Sequence, residues 1–419
     1  MSRMQDLLFL SHRIPFPPNK GDKVRSFNML RYLATRYRIH LGAFVDQPED
    51  WSRAGELRQW CAGLNLLPMA PGWRKLASLR GFLTGEPLTL PYYRSRAMTQ
   101  WVRDTVSRHG IGRAMVFSSS MAQYVLNLEG VRRVVDYCDV DSAKWTEYAN
   151  RKRGVPSWVY RREAQRLLDF EVRTALRCEV VTLVAENERR LLYELAPELT
   201  GRVRVVPNGV DSDFFSPAHE FPDPFGGVQA VVFTGAMDYW PNVDAVTWFA
   251  HEIWPRVHAE FPLASFYVVG MNPSAPVRAL GKVPGVVVTG SVPDVRPYLQ
   301  HARVVVAPLR VARGIQNKVL EAMAMDKPVI AHSSCAAALT GADDHGVLVV
   351  ASAEEFVGAV RSALGSGVPF RTGSPRAYVR DRFDWESNMS AYAALLENAG
   401  SGKAMPARAE RDEFACAAR

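Results

Sequence analysis

The stretch 303–332 constrains the fold of this chain more than any other. Its two short apolar runs, 304–309 and 328–331, predict strands covered on both faces, and the helix-forming residues between them predict a right-handed βαβ crossover. The helix is expected to begin near Asn317. Ligands of parallel sheets bind at the carboxyl ends of the strands, where this loop and helix carry Arg310, Arg313 and Lys318. The stretch therefore predicts a site for an anionic ligand.

Alternating strands and helices continue on both sides of this stretch. They predict a parallel sheet in each half of the chain, and 419 residues are too many for one ordinary core. Residues 208–224 are rich in proline, aspartate and aromatic residues and have no period, which predicts an interdomain linker. A last helix is predicted at 385–398, and the small and charged residues from 399 on are expected to fray.

The net charge of +8 is concentrated in the first half of the chain. Residues 1–208 contain 33 lysines and arginines against 21 acidic residues, which leaves 18 against 22 for the remainder, or charges of about +12 and −4. An anionic surface or acceptor is therefore expected on that side. No nucleic-acid-binding module accompanies the charge, so nucleic acid is not an expected partner. The five scattered cysteines predict reduced thiols in a cytoplasmic protein.

The first predicted strand, residues 6–10, leads through a proline-rich loop into a helix predicted at 22–34. This corner carries Lys20, Gly21, Asp22 and Arg25, a group that predicts a site for an anion or a polyol at the end of a parallel strand. The alternative is that the prolines and the glycine only turn the chain. His12, at the strand end, is either a proton acceptor or a hydrogen-bonded structural residue.

Residues 73–83 have the pattern of a basic amphipathic helix, in which Trp73, Leu76, Leu79, Phe82 and Leu83 alternate with Arg74, Lys75 and Arg80. Two interpretations fit this pattern. The helix either packs onto the core or docks onto an anionic membrane that presents the acceptor. No apolar run approaches the roughly 18 residues of a transmembrane helix, and no signal peptide is predicted, so such a membrane contact would be peripheral.

Two common nucleotide-binding motifs are missing from the sequence. No G-x-G-x-x-G follows a strand and no G-x-x-x-x-G-K-[ST] occurs, which argues against a dinucleotide oxidoreductase and a P-loop NTPase. A nucleotide pocket would then use separate loop glycines such as Gly235, Gly270 and Gly314 together with helix N-termini. Asp139 and Asp141 form a D-x-D that either binds a divalent metal or is an ordinary acidic loop. No metal site is predicted.

Four strings of the sequence resemble glycosyltransferase family 4: VVPNGVDSDFF, FTGAMDYWPN, SVPDVRPYLQHARVVVAPL and GIQNKVLEAMAMDKPVIA. Two further strings, SHRIPFPPNKGDKVR and DYCDVDSAKW, are similar to bacterial exopolysaccharide-locus transferases associated with exosortase protein-sorting systems. The resemblance implies the GT-B fold, an α/β architecture in which two Rossmann-like domains face each other across a cleft. The expected parts are residues 1–207, the linker 208–224, residues 225–380, a helix at 381–398 that crosses back to the first domain, and the tail 399–419.

The resemblance also implies a function. The expected enzyme is a retaining hexosyltransferase that moves a sugar from a nucleotide-diphosphate donor to a growing, lipid-linked glycan in exopolysaccharide biosynthesis. It would need no metal and no cofactor, and it would act in the cytoplasm or at the inner face of the membrane. On this view a donor phosphate oxygen takes the acceptor proton, and His12 positions the acceptor.

Individual residues take expected roles from the same resemblance. Glu321 matches the second glutamate of the family's Glu-x7-Glu motif and would accept hydrogen bonds from the ribose hydroxyls. The expected donor contacts are Glu321, Asn317, Gly314, Arg310, Gly235 and Asn242. The expected acceptor contacts are Lys20, Gly21, Asp22, Arg25, Asp139 and Lys144. The expected catalytic residues are Arg313, Lys318 and His12.

The chain departs from the family pattern at two places. Arg313 stands where the motif has its first glutamate, and Gly235 and Asn242 lie in a loop that lacks the family's two phosphate-binding cations. One hypothesis links the two changes: the positive charge has moved from one loop to the other, and Arg313 and Lys318 bind the diphosphate. In another, Arg313 pairs with the carboxylate of an acidic donor sugar. Two other functions stay open, a nucleotide-sugar epimerase of the same fold and a non-catalytic binding protein.

Overall fold

Two parallel β-sheets, each covered by helices, make up the structure. It is a computed structural model that describes residues 4–69, 71–312, 314–365 and 373–397, without the side chains of Pro71 and Trp73. The first half contains β1 Gln5–Ser11, α1 Gly21–Ala34, β2 Tyr37–Val45, β3 Cys61–Pro68, α2 Pro71–Ser78, α3 Arg80–Thr84, α4 Thr89–Tyr93, α5 Arg96–His109, β4 Arg113–Phe117, β5 Arg132–Cys138, α6 Asp141–Asn150, α7 Val155–Arg177, β6 Val180–Leu183, α8 Glu186–Leu195 and β7 Val203–Val205.

The second half repeats the alternation of strand and helix. It contains β8 Ala230–Thr234, α9 Trp240–Trp248, α10 Trp254–His258, β9 Ser265–Val269, α11 Ala275–Ala279, β10 Val286–Gly290, α12 Arg296–His301, β11 Val304–Ala307, α13 Asn317–Ala324, β12 Val329–His332, α14 Ser333–Ala336, β13 Val347–Val350, α15 Ala353–Leu364, α16 Pro375–Arg382 and α17 Trp385–Glu397. A π-helical turn, Phe249–Ile253, joins α9 to α10.

Every strand pairing in both sheets is parallel. The first sheet has the order β3-β2-β1-β4-β5-β6-β7 and the second has the order β10-β9-β8-β11-β12-β13. The central strands are apolar because both of their faces are buried, as in Leu7–Leu10 and Val304–Val306, which are almost fully inaccessible to solvent. In each sheet the order reverses next to the first strand, β1 or β8, which opens a crevice at the carboxyl ends of the strands.

The final helix belongs to the core of the first domain. Trp385, Met389 and Tyr392 of α17 are buried together with Leu7 and Leu30 of β1 and α1. The polypeptide therefore leaves the second sheet and crosses back to the first. The prediction of two facing Rossmann-like domains with a returning C-terminal helix is confirmed.

The largest difference from the predicted elements is β3, which was not predicted. A 3-10 helix, Pro48–Gln59, precedes it, and Cys61 already begins the strand. β3 pairs with β2 in parallel, and a Cβ on Gly63 would lie 2.7 Å from Nδ1 of His40, so only glycine fits there. Its residues lack a long apolar run because β3 is an edge strand with partly exposed faces.

Candidate functional site

The loops at the carboxyl ends of the two sheets meet between the domains. In the first domain they follow β1 and β5, and in the second they follow β8 and β11. A Cβ on Gly21 would lie 3.8 Å from Nδ2 of Asn317, so the starts of α1 and α13 face each other. Lys20, the residue before α1, lies partly exposed beside them. The candidate site is the cleft between these loops, the place where parallel sheets bind ligands.

Lys318 lies in a cradle formed by the first loop and helix of the second domain. Its Nζ donates to Oδ1 of Asn242 at 2.6 Å and lies 4.1 Å from the ring centroid of Phe233. A Cβ on Gly235 would lie 2.8 Å from the same Nζ, so glycine leaves the space that the ammonium group occupies. The structure thus brings three predicted residues together: Lys318 in the first turn of α13, Asn242 in the first turn of α9 and Gly235 in the loop after β8.

Lys318 and Glu321, one helical turn apart, have shifted pKa values. Burial lowers the pKa of Lys318 to about 7, although Cys335 and Glu321 act in the opposite direction. Burial raises the pKa of Glu321 to about 7 against the effect of Lys318. In both cases desolvation disfavours the charged form. An anionic ligand beside Lys318 would restore the charged lysine, so the cradle is suited to a phosphate-bearing ligand.

Arg310 lies apart from this cradle. Its guanidinium donates to both carboxylate oxygens of Asp244, at 2.7 and 3.2 Å, and lies 5.0 Å from the ring centroid of Trp248. These three residues line a groove along α9 to which Lys318 does not contribute. The structure therefore does not bring Arg310 into the predicted cluster of cations. Arg313, the other predicted cation of this loop, lies outside the described residues.

Gly314 forms the contact between the loop after β11 and the first domain. It has a φ of +57°, and a Cβ there would lie 2.4 Å from Oδ1 of Asp139 and 2.8 Å from Cγ1 of Val184. Only glycine adopts this backbone conformation readily and allows the close approach. A predicted donor residue and a predicted acceptor residue are thus adjacent across the cleft.

The Gly314→Ala substitution is expected to lower the free energy of unfolding by about 1–2 kcal/mol, because alanine is strained at positive φ, and to separate the two domains locally. Gly281→Ala is the matched control, since nothing lies within 4 Å of its Cβ position and its φ is ordinary. Urea unfolding and proteolysis of the 308–316 loop measure the two effects. Equal stability and equal cleavage in both variants would contradict the contact.

Asp22 is the centre of an ion cluster on the first domain. Its Oδ2 lies 3.0 Å from Nη1 of Arg13 and 3.5 Å from Nε2 of His12, and Nε of Arg13 lies 3.1 Å from Asp46. Burial alone would raise the pKa of Asp22, but His12 and Arg13 outweigh it and hold this pKa below its usual range. The His12 ring stacks on Phe117 at 5.7 Å. His12 is therefore fixed in orientation next to a stable carboxylate.

The D-x-D carboxylates after β5 are bridged by a lysine. Nζ of Lys144 lies 3.0 Å from Oδ2 of Asp139 and 3.0 Å from Oδ1 of Asp141. Burial lowers the pKa of Lys144, but the two carboxylates outweigh this effect and hold it well above its usual value. Lys144 thus supplies the positive charge that a metal would otherwise bring. The predictions that no metal and no cofactor are needed stay predictions.

Arg25 lies behind the cleft, where no acceptor reaches it. Its fully buried guanidinium donates to both carboxylate oxygens of Asp136, at 2.7 and 3.2 Å, and to the hydroxyl of Tyr392 at 2.6 Å. The structure does not support the predicted acceptor contact of this residue. Arg25 lies one helical turn after Asp22, on the side of α1 that packs against the first sheet and α17, so its charge is used inside the protein.

Three residues of the cleft were not predicted. Asn208 donates from Nδ2 to Oδ1 of Asn317 at 3.0 Å, and its own Oδ1 accepts from Arg25 at 2.9 Å. It therefore connects the linker to the first turn of α13. Arg13 and Asp46 belong to the cluster around Asp22. The sequence held signals for two of the three, since Asn208 opens the NGVD string and Arg13 follows His12 in SHRIPF.

A group of metal-ligating side chains lies at the opposite edge of the first sheet. Within the described ranges, ligand atoms of Asp6, His40 and His109 all lie within 4.8 Å of one another. Nε2 of His40 already contacts Oδ1 of Asp6 at 2.7 Å. These residues lie near the amino ends of β1 and β2 and at the end of α5. They are therefore separate from the cleft.

Comparison with known families identifies the second domain. Residues 228–366 match the family described as "Glycosyl transferases group 1". This stretch, about a third of the chain, is similar to that family, and we call it the group 1 domain. It contains the whole cradle of Lys318, Asn242 and Gly235 together with Glu321. No curated protein matches the chain significantly in sequence.

Solved structures show the GT-B fold over 93–98% of the chain. Sucrose-phosphate synthase (tll1590) from Thermosynechococcus elongatus is 16% identical with a TM-score of 0.68, and the alignment covers 98% of this chain and 100% of that one. WaaG, a glycosyltransferase involved in lipopolysaccharide biosynthesis, is 18% identical with a TM-score of 0.64, covering 94% and 100%. Anabaena Alr3699/HepE, solved with UDP-glucose, is 14% identical with a TM-score of 0.64, covering 93% and 99%. At these identities the likeness concerns the fold.

In the described part of the chain, every helix is too short or too polar to span a lipid bilayer.

Proposed function

We propose that this chain is a glycosyltransferase whose group 1 domain binds a nucleotide-diphosphate sugar. The observation that carries the proposal is the Lys318 cradle in that domain, where Nζ meets Asn242 at 2.6 Å in the first turn of α13. A lysine and a helix N-terminus together neutralise a departing diphosphate. Glu321, one turn further, accepts hydrogen bonds from the ribose hydroxyls. Arg313 adds a second cation or binds an acidic donor sugar.

In this proposal the acceptor lies against the first domain, beside Asp22 and the loop of Asp139 and Lys144. It is a growing, lipid-linked glycan of exopolysaccharide biosynthesis, reached at the cytoplasmic face of the membrane. The reaction retains the anomeric configuration. A donor phosphate oxygen takes the acceptor proton, and His12 orients the acceptor hydroxyl. The carboxylates nearest to the cleft are Asp22, Asp139 and Asp141, and ion pairs with Arg13 and Lys144 already engage them. This supports a reaction in which a donor phosphate oxygen, and not a carboxylate of the protein, takes the acceptor proton.

A panel of nucleotide sugars, neutral and uronic, tests this function through the release of nucleoside diphosphate with and without a lipid-linked acceptor. Release that depends on the acceptor is the expected result, and a preference for uronic donors would assign Arg313 to the sugar carboxylate. Epimerisation without release would show an epimerase. Tight binding without turnover would show a non-catalytic binding protein, and either result would overturn the proposal.

The affinity for a nucleotide-diphosphate sugar, whose diphosphate diester does not titrate in this range, is expected to peak near neutral pH. Binding requires Glu321 as a carboxylate and Lys318 as an ammonium ion, and both groups have a pKa of about 7 in the empty site. Below this pH Glu321 takes up a proton, and above it Lys318 loses one, so the affinity falls on each side by up to about tenfold per pH unit. Titration calorimetry across the neutral range measures this profile.

The Glu321→Gln variant separates the two limbs of that profile. Glutamine does not titrate, so the decrease in affinity at acid pH should disappear while the decrease at alkaline pH, which belongs to Lys318, remains. A profile in Glu321→Gln with the same acid limb as the unchanged protein would contradict the assignment to this pair.

A further inference from the structure

An apolar surface of the first domain is exposed where α2, α3 and the start of α7 come together. We call it the apolar patch and define it by five side chains whose exposed fractions lie between 51% and 90%. They are Leu76, Leu79, Leu83, Val155 and Trp158. Leu83 is the most exposed of them. Exposed apolar side chains scattered singly are ordinary, but a contiguous group marks an interaction surface.

Contacts between α3 and α7 hold the apolar patch together as one surface. The ring of Phe82 stacks on that of Trp158 with 6.0 Å between centroids and an angle of 7°. The guanidinium of Arg162 lies 4.8 Å from the Phe82 centroid and donates to the carbonyl oxygen of Gly81 at 2.5 Å. The two leucines nearest to Phe82 therefore lie next to the first turn of α7. This arrangement argues against packing of the amphipathic stripe onto the core.

The two segments that form the apolar patch carry positive charge only, and Glu86, which follows the first of them, is paired with Arg94. Residues 71–84 contain three lysines and arginines and residues 151–162 contain five, with no aspartate or glutamate in either range. Five of these cations are exposed and have no carboxylate partner within the described residues: Lys75, Arg80, Lys152, Arg153 and Arg161. Unpaired cations around exposed leucines and a tryptophan are complementary to a surface that is apolar inside and anionic outside.

We infer that the apolar patch and its five cations bind the surface of an anionic lipid bilayer. The leucines and Trp158 enter the boundary between headgroups and acyl chains, while the cations contact the lipid phosphates. A protein partner would also bury an apolar patch, but a protein interface core is normally depleted of charge. Here lysines and arginines alternate with the apolar residues in 71–84 and flank Val155 and Trp158 on both sides in 151–162. This pattern is the one that amphipathic helices use at membranes.

The apolar patch lies close to the cleft, which connects membrane binding with the proposed function. The biological meaning of membrane binding rests on that function. Tyr160, two residues after Trp158, packs on Trp145 with 5.4 Å between centroids. The neighbouring Tyr148 accepts a hydrogen bond from Nε1 of Trp240 in the group 1 domain, at 3.3 Å. The apolar patch thus lies beside the place where the two domains meet. A bilayer on this surface would place the mouth of the cleft next to the headgroups, where a lipid-linked acceptor is found.

Vesicle sedimentation tests the inference with the full-length protein and without donor or acceptor. Binding to vesicles of phosphatidylcholine mixed with phosphatidylglycerol is expected, with little binding to phosphatidylcholine alone and release by salt. Leu83→Glu, and separately Lys75→Glu with Arg80→Glu, should each lower the partition coefficient by about tenfold or more. Because no sugar transfer is measured, a failure of the proposed transferase activity would not affect this result.

Two matched controls lie on the second domain. Leu263→Glu changes a leucine that is 87% exposed, and Lys282→Glu changes an exposed lysine. Both should bind vesicles like the unchanged protein. Equal binding to neutral and anionic vesicles would overturn the inference, and so would equal losses in the patch and control variants. A dimer in light scattering that Leu83→Glu dissociates, in the absence of vesicle binding, would assign the surface to a second copy of the chain.

Discussion

Replacing Lys318 by methionine is expected to lower kcat/KM for sugar transfer by a factor on the order of 100 to 1,000, the range seen when one preorganised charge-stabilising donor is removed from an active site. Methionine keeps the length of the side chain and removes its charge. The cradle around Nζ explains the size of the effect, because Asn242 at 2.6 Å and the space left by Gly235 fix the ammonium group at one point. Steady-state kinetics with the accepted nucleotide sugar measure it.

The loss should appear both as a higher KM for the donor and as a lower kcat, since Lys318 binds the diphosphate of the donor and meets further negative charge as the sugar leaves. Lys282→Met is the control, because Lys282 is an exposed lysine of the same domain, far along the chain from the loops of the cleft. Its kinetics should match those of the unchanged protein. A Lys318→Met enzyme with ordinary kcat and KM would remove Lys318 from the mechanism and leave the diphosphate to other groups.

Local patterns predicted the parts of this site that lie close together in sequence. The apolar runs on either side of Lys318 became β11 and β12, and α13 begins at Asn317 as expected. A parallel sheet places the loop between such elements at its carboxyl edge, so the position of Lys318 followed from the order of the elements. The cradle also needed Asn242, which lies 76 residues away in sequence. The family resemblance, and not the pattern, indicated that residue.

Local patterns could not show which charged residues face the cleft. Arg25 and Asp22 lie in the same turn of α1, yet Asp22 joins the ion cluster of the cleft and Arg25 is fully buried. The difference depends on Asp136, Asn208 and Tyr392, which come from a strand, the linker and the last helix. Such contacts between distant segments have no periodicity in the sequence. The same reason explains why Arg310 was expected beside Lys318, although Asp244 of α9 holds it elsewhere.

The buried contacts of Arg25 mean that its loss should strongly destabilise the protein. Arg25→Met is expected to lower the free energy of unfolding by about 3–5 kcal/mol, because it leaves the carboxylate of Asp136 buried without its partner. Asp136 is fully buried and keeps the hydroxyl of Thr182 as a donor at 2.8 Å, which does not neutralise the charge. Urea unfolding followed by circular dichroism measures the change.

Two further variants distinguish the loss of the ion pair from the loss of side-chain packing as the cause of the lower stability. Arg31→Met removes an exposed arginine of the same helix, and its effect should stay within about 0.5 kcal/mol. Asp136→Asn added to Arg25→Met should recover part of the lost stability, because the uncompensated charge is gone, and this coupling distinguishes a buried ion pair from packing alone. Two results would contradict the role of Arg25 as the link between α1, β5 and α17. Arg25→Met could be as stable as Arg31→Met, or Asp136→Asn could add its full separate loss of stability to that of Arg25→Met.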